Sequence, residues 1–561
     1  MKTLLQNGSV VNVFTDAIVK ADVLIDGERI VGVGCYGEDE ADVTVDVTGK
    51  YICPGFIDGH IHIESTMLTP AELAKISLPH GTTSIVADPH EIANVCGTEG
   101  ISYMLEASRG LPLHVYVNLP SCVPATPFDE AGAVLSAEDL RPFYDDTAVL
   151  GLAEMMNYPG VLGGDAAVFA KIRDALERGR RVDGHAPMLS GKALDKYIAA
   201  GISTDHECST LAEAKEKIGK GQWVMVRQGT AARNLDALLP LFDPPYDRRC
   251  LLVTDDRHPA DLLREGHIDH IIRLAVRKGK SVLTAIRMAT LQAAECFGLR
   301  YVGAVAPGYR ADLLVLDDLD SVSVRQVYSS GKLVAENGEA LPMAEPAVRR
   351  ETEESVLHSF RVAPLTSHDF TIAPEGKRCR VIRVLPGELV TEQIEADIFW
   401  EKNNGVDMER DILKLAVIER HNETGHRGVG FIQGLGLKKG AIASSVSHDS
   451  HNLIVVGTSD ADMTVAANRV RENGGNAVAC DGRIIAEMPL PVAGLMSLKD
   501  GATVAAENER VREAVRALGV AEGIEPFMNM AFVSLTVIPA LKMTTQGLFD
   551  VNKQERVSLF L

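Results

Sequence analysis

The chain lacks any run of about eighteen apolar residues, so no segment is long enough to cross a bilayer as a helix. Its first twenty residues, MKTLLQNGSVVNVFTDAIVK, hold neither the apolar core nor the small-residue cleavage site of a secretion signal. Paired cysteines are missing too. Nine cysteines are scattered without a CxxC spacing, the pattern of reduced thiols rather than of a disulfide framework. Together these absences place the expected compartment in the cytoplasm. Positive charge is in deficit: 56 Lys and Arg face 77 Asp and Glu, a formal net charge of −21. Such a field repels nucleic acid and anionic membrane, and neither is expected as a partner. The glycine-rich phosphate fingerprint is absent, which disfavours a doubly wound nucleotide-binding sheet. So are tandem repeats and low-complexity tracts.

What remains is globular in composition, 46% hydrophobic and 24% charged, and at 561 residues too long for one ordinary domain. Residues 1–50 read as short strands with a hairpin turn at Asp26-Gly27. The same texture returns over 303–339, so residues 1–50 and 300–345 are expected to form one small β domain split by an insertion. Across 51–299, apolar runs at 55–62, 82–88, 113–119, 148–154, 180–185, 201–206, 222–227 and 250–256 mostly precede amphipathic segments. Eight β-then-α units over about 250 residues give the count and length of a TIM-type (β/α)8 barrel. Residues 346–561 mix strand-like and helical runs and are expected to form a C-terminal α+β domain. The fold class is therefore α/β.

A barrel of this kind builds its site at the C-terminal ends of its strands. In GFIDGHIHIE, His60 and His62 are two apart and share one strand face. Strand four ends in Glu154, five in His185, six in His206 and eight in Asp255. Singly, each has an ordinary structural reading: Glu154 as a core ion-pair partner, Asp255 as a helix cap before Pro259. Jointly, four imidazoles and two carboxylates at one rim suit Zn, Fe(II) or Mn(II), with room for two ions bridged by a carboxylate. Such ions lower the pKa of the water between them and generate hydroxide near neutral pH.

The strings PGFIDGHIH, GHA, TDH and VTDD, with APGYRADLLVL closing the split β domain, resemble the amidohydrolase superfamily. Many members carry a carboxylated lysine on strand four; Glu154 stands there instead. HIHIESTMLTP, GTTSIVADPHEIANVCG, DGHAP, VTDDRHP, SVSHDSHNLIVVG and AEMPLPVAGLMS resemble the bacterial adenine deaminases across almost the whole chain. The resemblance implies hydrolysis of adenine to hypoxanthine and ammonia in purine salvage, at a binuclear Mn or Fe(II) centre, with Zn as an alternative. His60, His62, Glu154, His185, His206 and Asp255 would be the ligands.

On that reading, hydroxide attacks C6 of the ring and Asp255 relays its proton, or Asp256 does if the strand register is one residue off. Glu154, bridging through one oxygen, could move protons with the other. Asp88, His90 and Glu91 follow strand two at the same rim, either orienting a ligand imidazole, binding the purine edge or capping the next helix. Asp58 shares the face of His60 and His62. Arg227 and Gln228 could donate to purine nitrogens or form a rim ion pair. In the C-terminal domain, His448, Asp449 and His451 are either a loop over the barrel mouth or a polar turn of their own domain. The expected partner is small-molecule adenine, and the apolar content permits a homo-oligomer. Two other functions fit the scaffold: a cyclic-amide hydrolase acting on hydantoin-like or dihydropyrimidine-like rings, and a catalytically inactive purine-binding protein.

Overall fold

The computed structural model describes residues 1–230, 232–401 and 403–561. Eight parallel strands form a ring: β1 (Phe56–Ile61), β2 (Thr82–Ala87), β3 (His114–Leu119), β4 (Val149–Met155), β5 (Arg181–Gly184), β6 (Thr204–Asp205), β7 (Trp223–Arg227) and β8 (Cys250–Val253). All eight apolar runs singled out in the sequence become these strands. β1 to β5 make one continuous ladder and β6 to β8 a second. Single parallel bridges join the two ladders, Val182 with Ile202 at one seam and Ile61 with Asp255 at the other. β1 and β2 are buried along their whole length, as parallel strands covered on both faces must be.

Helices pack outside the ring, and several begin on capping side chains. Thr69, Asp165 and Thr210 accept the free amides of Pro70–Ser77, Ala166–Glu177 and Leu211–Gly219. Each such cap contributes about 1 kcal/mol. Two glycines let the ring close inside. A Cβ at Gly59 would lie 2.4 Å from Leu251 Cδ1, and one at Gly184 would lie 2.1 Å from the Thr204 carbonyl.

Strands Ser9–Asn12, Ala17–Lys20 and Tyr51–Pro54 share a seven-stranded sheet with Leu313–Asp318, Ser323–Ser329, Lys332–Glu336 and Glu339–Ala340. Chain on both sides of the barrel therefore meets in one sheet. Beyond the exposed helix Arg350–Leu357, an eight-stranded sheet runs from Thr391–Asp397 at one edge to Arg483–Met488 at the other. Helices Asp460–Asn473 and Gly501–Ala517 pack on it. Gly501–Ala517 also touches the barrel helix Pro259–Glu265, and the Gly501 amide donates to Glu72 at 3.3 Å. Across the mouth, Asn452 Nδ2 donates to the Glu130 carbonyl at 2.7 Å and Thr536 Oγ1 to Asp129 at 2.6 Å. Among the described residues, no helix is long and apolar enough to cross a membrane.

Candidate metal centre

The ends of five strands deliver the expected ligand residues to one point. His62 Nε2 lies 3.4 Å from Glu154 Oε1 and 3.3 Å from Asp255 Oδ1, and His60 Nε2 lies 3.6 Å from Asp255 Oδ1. The other Glu154 oxygen, Oε2, lies 2.6 Å from His185 Nδ1 and 3.1 Å from His206 Nε2. The rings of His60 and His206 stack at 4.2 Å. Two ligands each ~2.1 Å from one cation stand roughly 3.0–3.4 Å apart, so this spacing is that of a coordination sphere. Several of the buried atoms are orphans: among the described residues, His60 Nε2, Asp88 Oδ2 and His90 Nδ1 have no hydrogen-bond partner. Leaving such an atom unpaired costs about 1–3 kcal/mol, a penalty a bound cation removes. The donor set therefore fits divalent metal, and nitrogen with carboxylate oxygen suits Mn, Fe(II) or Zn.

His90 and Asp88 sit deeper in the cluster than a rim position. Ligand atoms of His62, Asp88, His90 and Glu154 all lie within 4.8 Å of one another, with His90 Nδ1 3.6 Å from Glu154 Oε1. His62 Nδ1 lies 3.1 Å from the Asp88 carbonyl, which accepts its proton and leaves Nε2 free to face the centre.

Asp255 occupies left-handed backbone, φ +59°, and its amide donates to the His60 carbonyl at 2.9 Å. Strain of that kind in a non-glycine residue costs about 1–3 kcal/mol and persists where the surroundings over-determine it. Arg227 reaches Asp255 Oδ2 at 2.6 Å and forks onto both oxygens of Glu207. Burial alone would raise the Asp255 carboxyl; the Arg227 guanidinium and the His62 bond override it and hold the group well below its ordinary value. The guanidinium thus forms ion pairs with two acids, which is the rim ion pair among the two readings of Arg227. Gln228 is tied through its backbone, its carbonyl accepting from Arg257 at 2.9 Å. Among the described residues its side chain makes no hydrogen bond to the cluster.

A cavity beside the cluster is lined in part by Glu64, Ser65, Asp256, His258, His448 and Phe532. Residues from the barrel and from the C-terminal region both line it. The loop carrying His448, Asp449 and His451 lies over the mouth: Asp449 Oδ1 is 3.9 Å from His90 Nε2, and His448 stacks on Phe532. His451 Nδ1 accepts the Ser447 amide at 3.2 Å, so in the neutral ring Nε2 carries the proton. That nitrogen faces Glu91 Oε2 at 3.4 Å. Burial, with the nearby charges of His448 and Arg420, keeps the ring neutral. Ser65 Oγ lies 2.7 Å from Glu91 Oε1 and 2.6 Å from Asp256 Oδ1. One hydroxyl proton cannot serve two carboxylates, so one of the two acids holds a proton of its own.

Sequence reasoning missed Glu207, Asp183 and Ser65. Glu207 follows His206 directly and lies 3.5 Å from its Nε2. Asp183 Oδ2 lies 3.5 Å from His60 Nδ1. A usable signal existed: Asp183-Gly184-His185 repeats the Asp58-Gly59-His60 string. Asp58 itself lies below the ligands, accepting the Thr254 amide at 3.1 Å, and burial pushes its carboxyl up to about 7.

Residues 51–334 match the amidohydrolase family and residues 388–555 match the adenine deaminase C-terminal domain. Adenine deaminase of Nitratidesulfovibrio vulgaris is 49% identical over 98% of this chain and 95% of its own length. Adenine deaminase 2 of Carboxydothermus hydrogenoformans is 48% identical, and the Geobacillus kaustophilus adenine deaminase 46%, each over 98% of this chain and 95% of its own. The cluster of imidazoles and carboxylates at the barrel mouth lies in the first matched region, and the loop over it lies in the second. The chain belongs to the adenine deaminase family of amidohydrolases.

Proposed function

We propose that the chain hydrolyses adenine to hypoxanthine and ammonia at a centre of two divalent cations, Mn or Fe(II). Adenine follows from the family. The observation that carries the chemistry is Glu154, whose Oε1 faces His62 and His90 while Oε2 faces His185 and His206. A carboxylate with two differently occupied oxygens is suited to bridging two ions. Glu154 takes the place where many amidohydrolases carry a modified lysine. His60 and Asp255 complete one corner, and His206 stands beside both.

When bound, the cations acidify water and so supply a nucleophile near neutral pH. Asp255 keeps Oδ2 on Arg227 and turns Oδ1 toward His60 and His62, where it can take the proton of the attacking water and pass it to the leaving amine. Burial, reinforced by the charges of Glu64 and Asp256, pushes the Glu91 carboxyl up to about 8. Glu91 is thus the protonated member of the Ser65 pair. Its proton is suited to ring N1, which makes C6 more electrophilic, and the second proton of the attacking water, released as the C6 hydroxyl becomes a carbonyl, returns to it. Ser65 holds one oxygen of that carboxyl, and Phe532 and His448 line the cavity beside it.

Protein reconstituted with Mn²⁺ or Fe²⁺ is expected to remove the adenine absorbance while releasing one ammonia per hypoxanthine. Tight adenine binding without turnover would instead mark a purine sensor. Ring opening of a dihydropyrimidine without deamination would mark a cyclic-amide hydrolase.

A further inference from the structure

Beneath the ligand residues lies a second layer that the reaction itself does not use. Lys217, on helix Leu211–Gly219, is fully buried yet charged. It lies 3.1 Å from Asp205 Oδ2, 2.8 Å from Glu213 Oε1 and 2.7 Å from the Ala186 carbonyl. Asp205, equally buried, accepts the Ala186 amide on Oδ2 at 2.9 Å and the Glu207 amide on Oδ1 at 2.8 Å. The peptide units flanking Ala186 are therefore gripped from both sides, the amide by an anion and the carbonyl by a cation. Ala186 follows His185, and Asp205 precedes His206. Glu213 extends the clamp along both loops, accepting the Met188 amide at 2.8 Å and the Ser209 amide at 3.2 Å.

Tyr197 continues the layer on the other side of His185. Its hydroxyl accepts the His185 amide at 3.0 Å and donates to the Met155 carbonyl at 2.8 Å. Met155 follows Glu154. One unbroken set of hydrogen bonds thus ties together the backbones that carry Glu154, His185 and His206. The seam between β5 and β6, where among the described residues the Val182–Ile202 bridge alone joins the ladders, lies in the middle of it. The ladder is thin there, and side chains take over the work of holding the two strand ends in register. A buried lysine paired with two acids is an expensive way to do so unless the placement of those ends matters, because the charges must be stripped of water before they pair.

We infer that Tyr197, Asp205 and Lys217 are positioning residues that set how tightly the Glu154–His185–His206 corner holds its cation. This rests on the metal-centre reading above. The outer partners of ligands usually govern affinity by 10–100-fold. Here the partners grip the backbone rather than the imidazole rings, so the ligand corner is aimed by its peptide planes.

The test is a titration of metal-free protein with Mn²⁺ against a chromophoric chelator, for the wild type, Tyr197→Phe and Asp205→Asn. Tyr197→Phe deletes one oxygen and keeps the shape; Asp205→Asn keeps an acceptor for Glu207 but loses the one for Ala186. Both are expected to retain the wild-type far-ultraviolet dichroism and a cooperative melt. Mn²⁺ affinity should fall about 10-fold or more. Turnover should recover with excess Mn²⁺ at an unchanged KM for adenine. Folded variants that bind Mn²⁺ as tightly as the wild type would overturn the inference alone, and so would a kcat loss that excess metal does not repair. If the wild type itself took up no stoichiometric Mn²⁺, Fe²⁺ or Zn²⁺, the metal-centre reading would fall and this inference with it. Should Asp205→Asn fail to fold, Tyr197→Phe decides the question.

Discussion

Single side chains at this site are tuned by one strong neighbour each, and Asp255 with Arg227 is the clearest case. Asp255→Asn keeps the hydrogen-bonding shape but cannot take a proton; kcat is expected to fall by ~10²–10⁴, with KM for adenine changed only a few-fold, in steady-state assays of Mn-loaded protein. Arg227→Met removes the charge that holds the Asp255 carboxyl low. A depressed carboxyl is ionised over a wider range and loses function only as pH falls through its value. Without the arginine that value rises, so the acid limb of the kcat/KM profile should move to higher pH. An unmoved limb would assign that limb to another group. At this scale the cluster of imidazoles and carboxylates was legible because metal chemistry restricts residue type and strand geometry restricts position. Of the layer below them only Asp58 was singled out, although that layer follows a pattern. Asp58 holds Thr254, just before Asp255, and Asp183 holds Thr204, just before Asp205 and His206. A buried aspartate bonded to a threonine hydroxyl has no signature in a hydropathy profile.

Elements decide where those residues are carried. The strands announced themselves because a parallel strand covered on both faces must be a short apolar run. β6 is the informative exception, two residues long, and its neighbours are positioned by side chains more than by a ladder. Helix Leu211–Gly219, which carries Lys217, starts at Thr210, whose side chain accepts the Glu213 amide at 3.3 Å. Thr210→Ala is expected to lower stability by ~1 kcal/mol in urea titrations. It should also weaken Mn²⁺ binding less than Tyr197→Phe does, since the cap acts one step further from the ligands. The loop holding His448 and His451 could not be assigned from its own residues. Its place over the mouth is set by contacts hundreds of residues away in sequence, such as Asn452 with Glu130. Local pattern carries no information about pairings of that range.

For the molecule as a whole, the C-terminal region completes the cavity and contributes a protonation-sensitive element of its own. Lys542 is fully buried, and burial pushes its amine down to about 7, while an unfolded chain keeps that proton to about pH 10.4. Between those values the unfolded state binds more protons, so this group makes stability rise from pH 7 toward 10. Below pH 7 the buried charge is a standing penalty. Lys542→Met should therefore raise the midpoint of unfolding at neutral pH, by the equivalent of about 1–4 kcal/mol, and flatten the rise above it. The lost bond to the Phe532 carbonyl, 2.9 Å in the native chain, sets the lower end of that range.

The ring of strands is stitched rather than woven at two places, where Ile61 meets Asp255 and where Val182 meets Ile202. Candidate ligands stand on both banks of each gap: His60 and His62 opposite Asp255, His185 opposite His206. A divalent ion gripped by both banks would add to the single backbone bridge at each gap. Chelation should then loosen the barrel selectively, with deuterium entering amides along those two gaps sooner than amides between β2 and β3. Uniform labelling around the ring would show that the ion is a reagent alone and no rivet.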